Sequence, residues 1–227
     1  MAGKSTEQFY FFATKNGTVK KTSVKEYSNI RQSGLVAIKL DADDQLLGAK
    51  VASGNDKVLL ITALGKCIFF EGNDVRPQGR ATQGVRGIKL RKDDYVVGMD
   101  VITADDEKQA GKYEVLVLSA KGYGKKTLLS EYTVQGRGGQ GVFTAKLTSK
   151  TGNLVAMRVL RNSGEDTKEK SDVEEALAEP TDLLVISKLG QAIRLPITDI
   201  PAMGRHTQGV RIIRLNDSDE ATALALL

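Results

Sequence analysis

The chain has 227 residues, a formal net charge of +5 and a sequence pI of about 9.2. Its hydrophobic share is 41% with a mean hydropathy of −0.24, and no apolar run approaches the ~18 residues of a membrane span, so a membrane partner is not expected. The single cysteine, Cys67, excludes an internal disulfide and fits a reducing cytoplasm, and the single histidine, His206, leaves no set for a multi-histidine metal site or a His-based triad.

Residues 1–7 read as a flexible tail. GKST at Gly3–Thr6 matches the end of a P-loop, but no strand precedes it and the first glycine of the motif is missing. From residue 8 the chain repeats itself. Short runs rich in Val, Ile, Leu or Phe occur at Phe9–Thr14, Lys57–Thr62, Glu114–Ser119 and Asp182–Ser187, and predict strands. Each is followed by a glycine turn, read at Gly17, Gly65, Gly124 and Gly190, of which Asn16-Gly17 is a strong hairpin signal. Second strands are predicted at Thr18–Ser23, Lys66–Glu71, Lys125–Ser130 and Gln191–Pro196. A seven-residue phrase then recurs as GLVAIKL (Gly34–Leu40), GVRGIKL (Gly84–Leu90), GVFTAKL (Gly141–Leu147) and GVRIIRL (Gly209–Leu215). Final strands are predicted at Leu46–Ala52, Val96–Ile102, Leu154–Leu160 and Ala221–Leu227.

Four strands per repeat, at roughly 50-residue spacing, point to propeller blades. The expected fold is all-β: about four four-stranded antiparallel blades, at about 8–57, 58–113, 114–180 and 181–227, with the phrase as the third strand of its own blade. The one predicted helix is Ser171–Glu179, within an insertion. That insertion is acidic: Glu165–Pro180 holds seven acids against two lysines, a net of −5, so the other residues sum to +5 − (−5) = +10. A basic body with one acidic loop suits an anionic partner, and the loop is expected to compete with it. The pairs Asp43-Asp44, Asp93-Asp94 and Asp105-Asp106 fall in predicted turns and need no catalytic role.

Just before each phrase lies a turn with an arginine. Gln78–Gly84 (QGRATQG), Gln135–Gly141 (QGRGGQG) and Met203–Gly209 (MGRHTQG) align, with Ser28–Gly34 (SNIRQSG) a looser copy. Backbone N–H groups beside small residues can approach a phosphate, and Arg31, Arg80, Arg137 and Arg205 would add a bidentate donor. The alternative is that the glycines make turns between blades and the arginines pack on a neighbour. Lys20, Lys21, Lys66, Lys125, Lys126 and Arg194 follow the turn glycines and read as cations at comparable places on one perimeter. A duplex would be held there through its phosphates without sequence being read.

These segments carry a resemblance. Ala13–Arg31, Asp74–Leu90, Gly122–Val142 and Gly204–Leu215 resemble, in order, the C-terminal domain of bacterial DNA gyrase A. The resemblance implies a β-pinwheel that wraps double-stranded DNA around its outer edge. It implies as partners the remainder of gyrase A and gyrase B, and a nucleoid-associated place in the cytoplasm. It also implies that no cofactor is held here, ATP and Mg belonging to other parts of the holoenzyme, and that the reaction's catalytic residues lie elsewhere. On the matched segments Gln135, Gly138, Gly139, Arg76, Arg86 and Arg211 join the DNA-binding candidates. The family domain usually has six blades, of which these four resemble the last four. Its defining box, Gln-Arg-Arg-Gly-Gly-Lys-Gly, is echoed only by Gln135–Gly141. The corresponding domain of topoisomerase IV, which senses DNA geometry, is a second reading, and a propeller-like protein-interaction scaffold is a third.

Overall fold

A computed structural model describes residues 7–30, 32–108, 110–161 and 180–227. Arg31, the expected helix Ser171–Glu179 and all but the last residue of the acidic insertion lie outside these.

The fold is all-β, built of antiparallel sheets of the propeller-blade type. The strands are β1 (Phe9–Thr14), β2 (Thr18–Ser23), β3 (Leu46–Ala52), β4 (Lys57–Thr62), β5 (Lys66–Glu71), β6 (Val85–Arg86), β7 (Val96–Ile102), β8 (Tyr113–Ser119), β9 (Tyr123–Leu128), β10 (Val142–Phe143), β11 (Leu154–Arg161), β12 (Asp182–Ser187), β13 (Ala192–Pro196), β14 (Val210–Arg211) and β15 (Ala221–Leu226). The sheet orders are β3-β1-β2-β6, β10-β5-β4-β7, β11-β8-β9-β14 and β13-β12-β15. The central strands β1, β4 and β8 are buried over almost their whole length, which their Val, Ile, Leu and Phe content favours.

One turn recipe closes all four central hairpins. A hydroxyl at the end of the first strand (Thr14, Thr62, Ser119, Ser187) accepts the N–H four residues on, from Thr18, Lys66, Tyr123 and Gln191 at 3.0–3.2 Å. The carbonyl of the same residue accepts the N–H of a glycine with positive φ: Gly17, Gly65, Gly122 and Gly190. The third turn glycine is therefore Gly122, not Gly124, which sits inside β9 opposite Leu118. An aspartate from the strand-entry loop buckles three of these turns. Asp44 Oδ1 accepts the N–H of Asn16, Asp94 Oδ1 that of Leu64, and Asp219 Oδ1 that of Leu189. This gives Asp44 and Asp94 of the predicted turns a structural task, whereas Asp105 and Asp106 lie in a short helix, Ala104–Lys108, where Asp106 accepts the N–H of Thr103 at 3.0 Å. At Asp219, hydrogen bonds from the Ser187 hydroxyl and from backbone N–H groups hold the carboxyl below its usual range.

The fourth strand of a sheet is where expectation and structure differ. In the first three sheets it comes from the next repeat: β6 pairs with β2 through Thr18↔Arg86 and Val19↔Val85, and β14 with β9 through Val210↔Gly124 and Arg211↔Tyr123. The fourth sheet has three strands among the described residues, and Gly34–Leu40 forms no strand. The phrase is thus a strand lent to the preceding sheet. Before it, the chain runs along the same edge. Gln78, Gln135 and Met203, each six residues ahead of a phrase glycine, donate their N–H to the carbonyls of Lys21, Phe69 and Lys126. Each repeat therefore hooks over the second strand of the one before it.

The phrase glycine is the tight point of the hook. Gly84, Gly141 and Gly209 have φ of +104, +66 and +82°, and a Cβ there would overlap the carbonyl oxygens of Val19, Cys67 and Gly124. Gly34 has φ +76° but nothing within 4 Å.

The hooks also account for how the chain divides. One compact unit is Met1–Lys108 with Thr133–Val142; the other is Gln109–Tyr132 with Phe143–Leu227. Thr133–Val142 belongs to the first because it is the hook on β5. Each unit has its own core, one around Phe11, Leu60, Phe70 and Ile88, the other around Leu116, Leu118, Leu183 and Ile213. Cys67 is buried within the first unit, in keeping with the apolar run CIFF (Cys67–Phe70) in which it stands.

Gly84→Ala and Gly34→Ala separate the two demands on these glycines. The left-handed backbone should cost both roughly 1–2 kcal/mol, and only Gly84→Ala adds the overlap with Val19. Urea unfolding of both variants checks this, and equal losses would show that the close approach is unimportant.

Candidate nucleic-acid interface

Register places the second-strand cations more finely than spacing does. Phe12 faces Lys20, Leu60 faces Ile68, Val117 faces Lys125 and Val185 faces Ile193. Lys20 and Lys125 are therefore equivalent, with Ile68 and Ile193 in the other two sheets. Lys66 stands two places earlier, at the position of Thr18, Tyr123 and Gln191. Arg194 is the counterpart of Lys21 and Lys126.

Five of these six cations do not form an exposed track. Lys20 is 0% and Lys125 1% exposed, and Lys21, Lys66 and Lys126 are also buried. Their ammonium groups face the protein. Lys20 Nζ donates to Ala37 O, at 2.8 Å, and to Arg80 O. Lys125 Nζ donates to Gly204 O, Arg205 O and Thr207 Oγ1 at 2.6, 2.8 and 3.1 Å. Lys21 Nζ donates to Gly72 O at 3.0 Å, Lys66 Nζ reaches Gly141 O at 3.5 Å, and Lys126 pairs with Glu114 at 3.0 Å. Arg194 is exposed but paired with Asp182 at 2.5 Å. Spacing alone puts these lysines on the perimeter because a basic strand next to a turn ordinarily lies in water. Here the following repeat's hook covers that edge, and its carbonyls supply partners to Lys20, Lys66 and Lys125, while Lys21 uses Gly72 O and Lys126 the Glu114 carboxylate.

Lys20 and Lys125 thus shape the arginine turn. Each grips the carbonyl of the turn arginine itself, Arg80 or Arg205. The turn threonine then closes the loop, Thr82 Oγ1 onto Gly79 O at 2.9 Å and Thr207 Oγ1 onto Gly204 O at 2.8 Å. The middle hook has Ile68 in place of the lysine and Gly139 in place of the threonine. There Gly138 takes φ +78°, and Arg137 holds the turn instead, donating to Asp74 O at 2.8 Å and Arg86 O at 3.1 Å. Gln135 and Gly138 donate backbone N–H groups to Phe69 O and Gly87 O, and Gly139 O accepts from Lys89 N. Arg205 N donates to Glu131 and its guanidinium reaches Phe143 O at 3.4 Å. Arg80, Arg137 and Arg205 are half-buried; Arg76, Arg86 and Arg211 are exposed.

A more regular set of cations lies within the phrase itself, outside the residues that spacing and resemblance single out. The sixth position of the phrase is Lys39, Lys89, Lys146 or Arg214, basic every time and exposed every time. In three copies the backbone N–H of this residue is held by the next hook, Lys39 by Thr82 O, Lys89 by Gly139 O and Lys146 by Thr207 O, at 2.8–3.0 Å. None of the four makes an ion pair among the described residues. Their invariance within the phrase is the signal that marks them. An exposed, unpaired cation on a rigidly held backbone is suited to a phosphate contact. Among the described residues no group of three or more His, Cys, Asp or Glu is placed to hold a metal, and no helix is long and apolar enough to cross a membrane.

Burial and the nearby Arg80 charge lower the Lys20 pKa to about 8. Between that value and the ordinary 10.5 the unfolded chain binds the extra proton, so stability from this group rises with pH through the window. Urea unfolding at about pH 7.5 and 9.5 should show this rise in the wild type and a smaller one in Lys20→Met; equal pH responses would contradict it. Lys125→Met should lose roughly 1–3 kcal/mol, because acceptors of the turn are left without a donor. It should also speed tryptic cleavage after Arg205, and an unchanged cleavage rate would show that the lysine does not hold the turn.

Comparison with known proteins bears on these sheets and hooks together. The family described as DNA gyrase C-terminal domain, beta-propeller, matches residues 8–53, 56–103, 113–161 and 181–227. The A subunit of DNA gyrase from Staphylococcus epidermidis is 38% identical over 222 residues, which are 98% of this chain and 22% of that protein. The chain thus spans about a fifth of that relative's length. Two solved structures share the fold. A DNA gyrase A C-terminal domain superposes with a TM-score of 0.76 at 23% identity, covering 97% of this chain and 66% of that one. The C-terminal domain of a DNA topoisomerase IV superposes with 0.80 at 22% identity, covering 99% and 63%.

Proposed function

The chain belongs to the DNA gyrase C-terminal domain family, and on that premise we propose that it binds duplex DNA through the phosphate backbone, without sequence readout and without chemistry of its own. The observation that carries this reading is the phrase cation, exposed in every repeat and without an ion pair among the described residues. Lys39, Lys89, Lys146 and Arg214 are the principal contacts, with Arg76, Arg86 and Arg211 beside them. Of the turn arginines, Arg137 and Arg205 present the donors left after their contacts with carbonyls, and Arg80 joins them. Contacts distributed over several blades favour a bent duplex, since bending a 20–30 bp site costs on the order of 1–6 kcal/mol that added contacts must offset. Within a complete gyrase, with the rest of gyrase A and with gyrase B, such bending supports ATP-dependent negative supercoiling. The topoisomerase IV reading has the same contacts but little wrapping. Sealing nicked circles in the presence of the protein separates the two, because only wrapping traps a change in linking number.

Mobility-shift titrations across a salt series test the contacts. Lys39, Lys89, Lys146 and Arg214, all changed to Gln, should weaken every duplex sequence alike and lower the slope of log K against log salt by about 3–4. An unchanged slope would show that phosphate is met elsewhere. A protein-scaffold role would be favoured if the wild type bound no duplex even at low salt.

A further inference from the structure

The third sheet carries an aromatic residue where its counterparts have Thr18, Lys66 and Gln191. Tyr123 is only 8% exposed, and two cations converge on it. Arg211, its cross-strand partner, donates through Nη2 to Tyr123 Oη at 3.0 Å, with its guanidinium 5.4 Å from the ring centroid. Lys150 lies with Nζ 5.6 Å from the same centroid. These are cation–π distances. The hydrogen bond from Arg211, with the charges of Arg211 and Lys150, lowers the phenol pKa from its ordinary value.

The three residues border an open cleft of about 680 Å³ that Arg214 and Gln191 also line. No carboxylate lines it, and none of Lys150, Arg211 or Arg214 makes an ion pair among the described residues. The comparable cleft of the first sheet, beside Thr18 and Arg86, contains its own carboxylate, Asp41. Like charges gathered around one aromatic ring repel one another, and an anion placed between them offsets that repulsion. We propose that the Tyr123–Lys150–Arg211 cleft is a phosphate-binding site, taking one phosphoryl group between Lys150 and Arg211 with Arg214 at its rim. The phosphoryl group belongs either to a duplex backbone, which rests on the DNA-binding reading, or to free phosphate, which does not.

Inorganic phosphate titrated into the chain tests the site, with the Tyr123 ring signals followed by NMR and assigned through Tyr123→Phe. A saturable shift is expected. Phosphate affinity should fall at least about 10-fold in Lys150→Gln with Arg211→Gln, as loss of two charge-assisted donors implies, while the melting temperature stays near that of the wild type. No saturable shift, or an equal one in the double variant, overturns the proposal. Salt-series titration with a short duplex then identifies the source. If the site takes a backbone phosphate, the double variant lowers the slope of log K against log salt by about 1. If phosphate binding is lost but duplex binding and slope are unchanged, the site stands and takes free phosphate. A phosphate shift in a wild type that binds no duplex would defeat the DNA-binding reading and leave this site intact.

Discussion

The constraint on which the structure depends is that the second strand of each hairpin has an edge of backbone N–H and C=O groups that must be paired. In three sheets the next repeat covers that edge, first with the stretch ending at Gln78, Gln135 or Met203 and then with the short strand after the phrase glycine. The glycine permits the covering. At Gly84, Gly141 and Gly209 the two backbones come too close for a Cβ. Each of the first three sheets is thus completed by a strand of the repeat that follows it.

Electrostatics follow from this covering. A lysine on a free strand edge would hold its ammonium in water. Once the hook lies over it, water is replaced by carbonyl oxygens of the turn, which offset part of the desolvation penalty. Lys20 and Lys125 are thereby converted from surface charges into internal ties. On the binding proposed above, the charges left for a partner are Lys39, Lys89, Lys146 and Arg214, the first three on backbone that the next turn holds in place. On that reading, stability and binding draw on different cations of one repeat, Lys20 or Lys125 buried under the hook and the phrase cations exposed.

Much of this is legible in the residues. The central strands, the hairpin turns, the fold class and the burial of Cys67 follow from apolar runs and glycine positions. Three features are not. Assigning the phrase to its own blade follows from adjacency along the chain, and period-2 patterning is the same whichever sheet a two-residue strand joins. Gly124 reads as the turn glycine because it lies 17 residues before the phrase glycine Gly141, as Gly17 lies 17 before Gly34; only the cross-strand register and the Ser119 hydroxyl bond identify Gly122. The buried lysines are the deeper case. Residue type says that a lysine avoids the interior, and only the three-dimensional path of the following repeat shows carbonyls waiting for it. The phrase cations, by contrast, are visible as an invariant basic position, but the basic pairs nearby give the louder signal of charge.

Acylation footprinting of lysines with and without duplex DNA tests the account most directly. It predicts that Lys39, Lys89 and Lys146 react readily in the free chain and are protected when duplex is added, while Lys20 and Lys125 remain unreactive in both. Ready modification of Lys20 and Lys125 that duplex suppresses, with Lys39, Lys89 and Lys146 indifferent to it, would contradict the account.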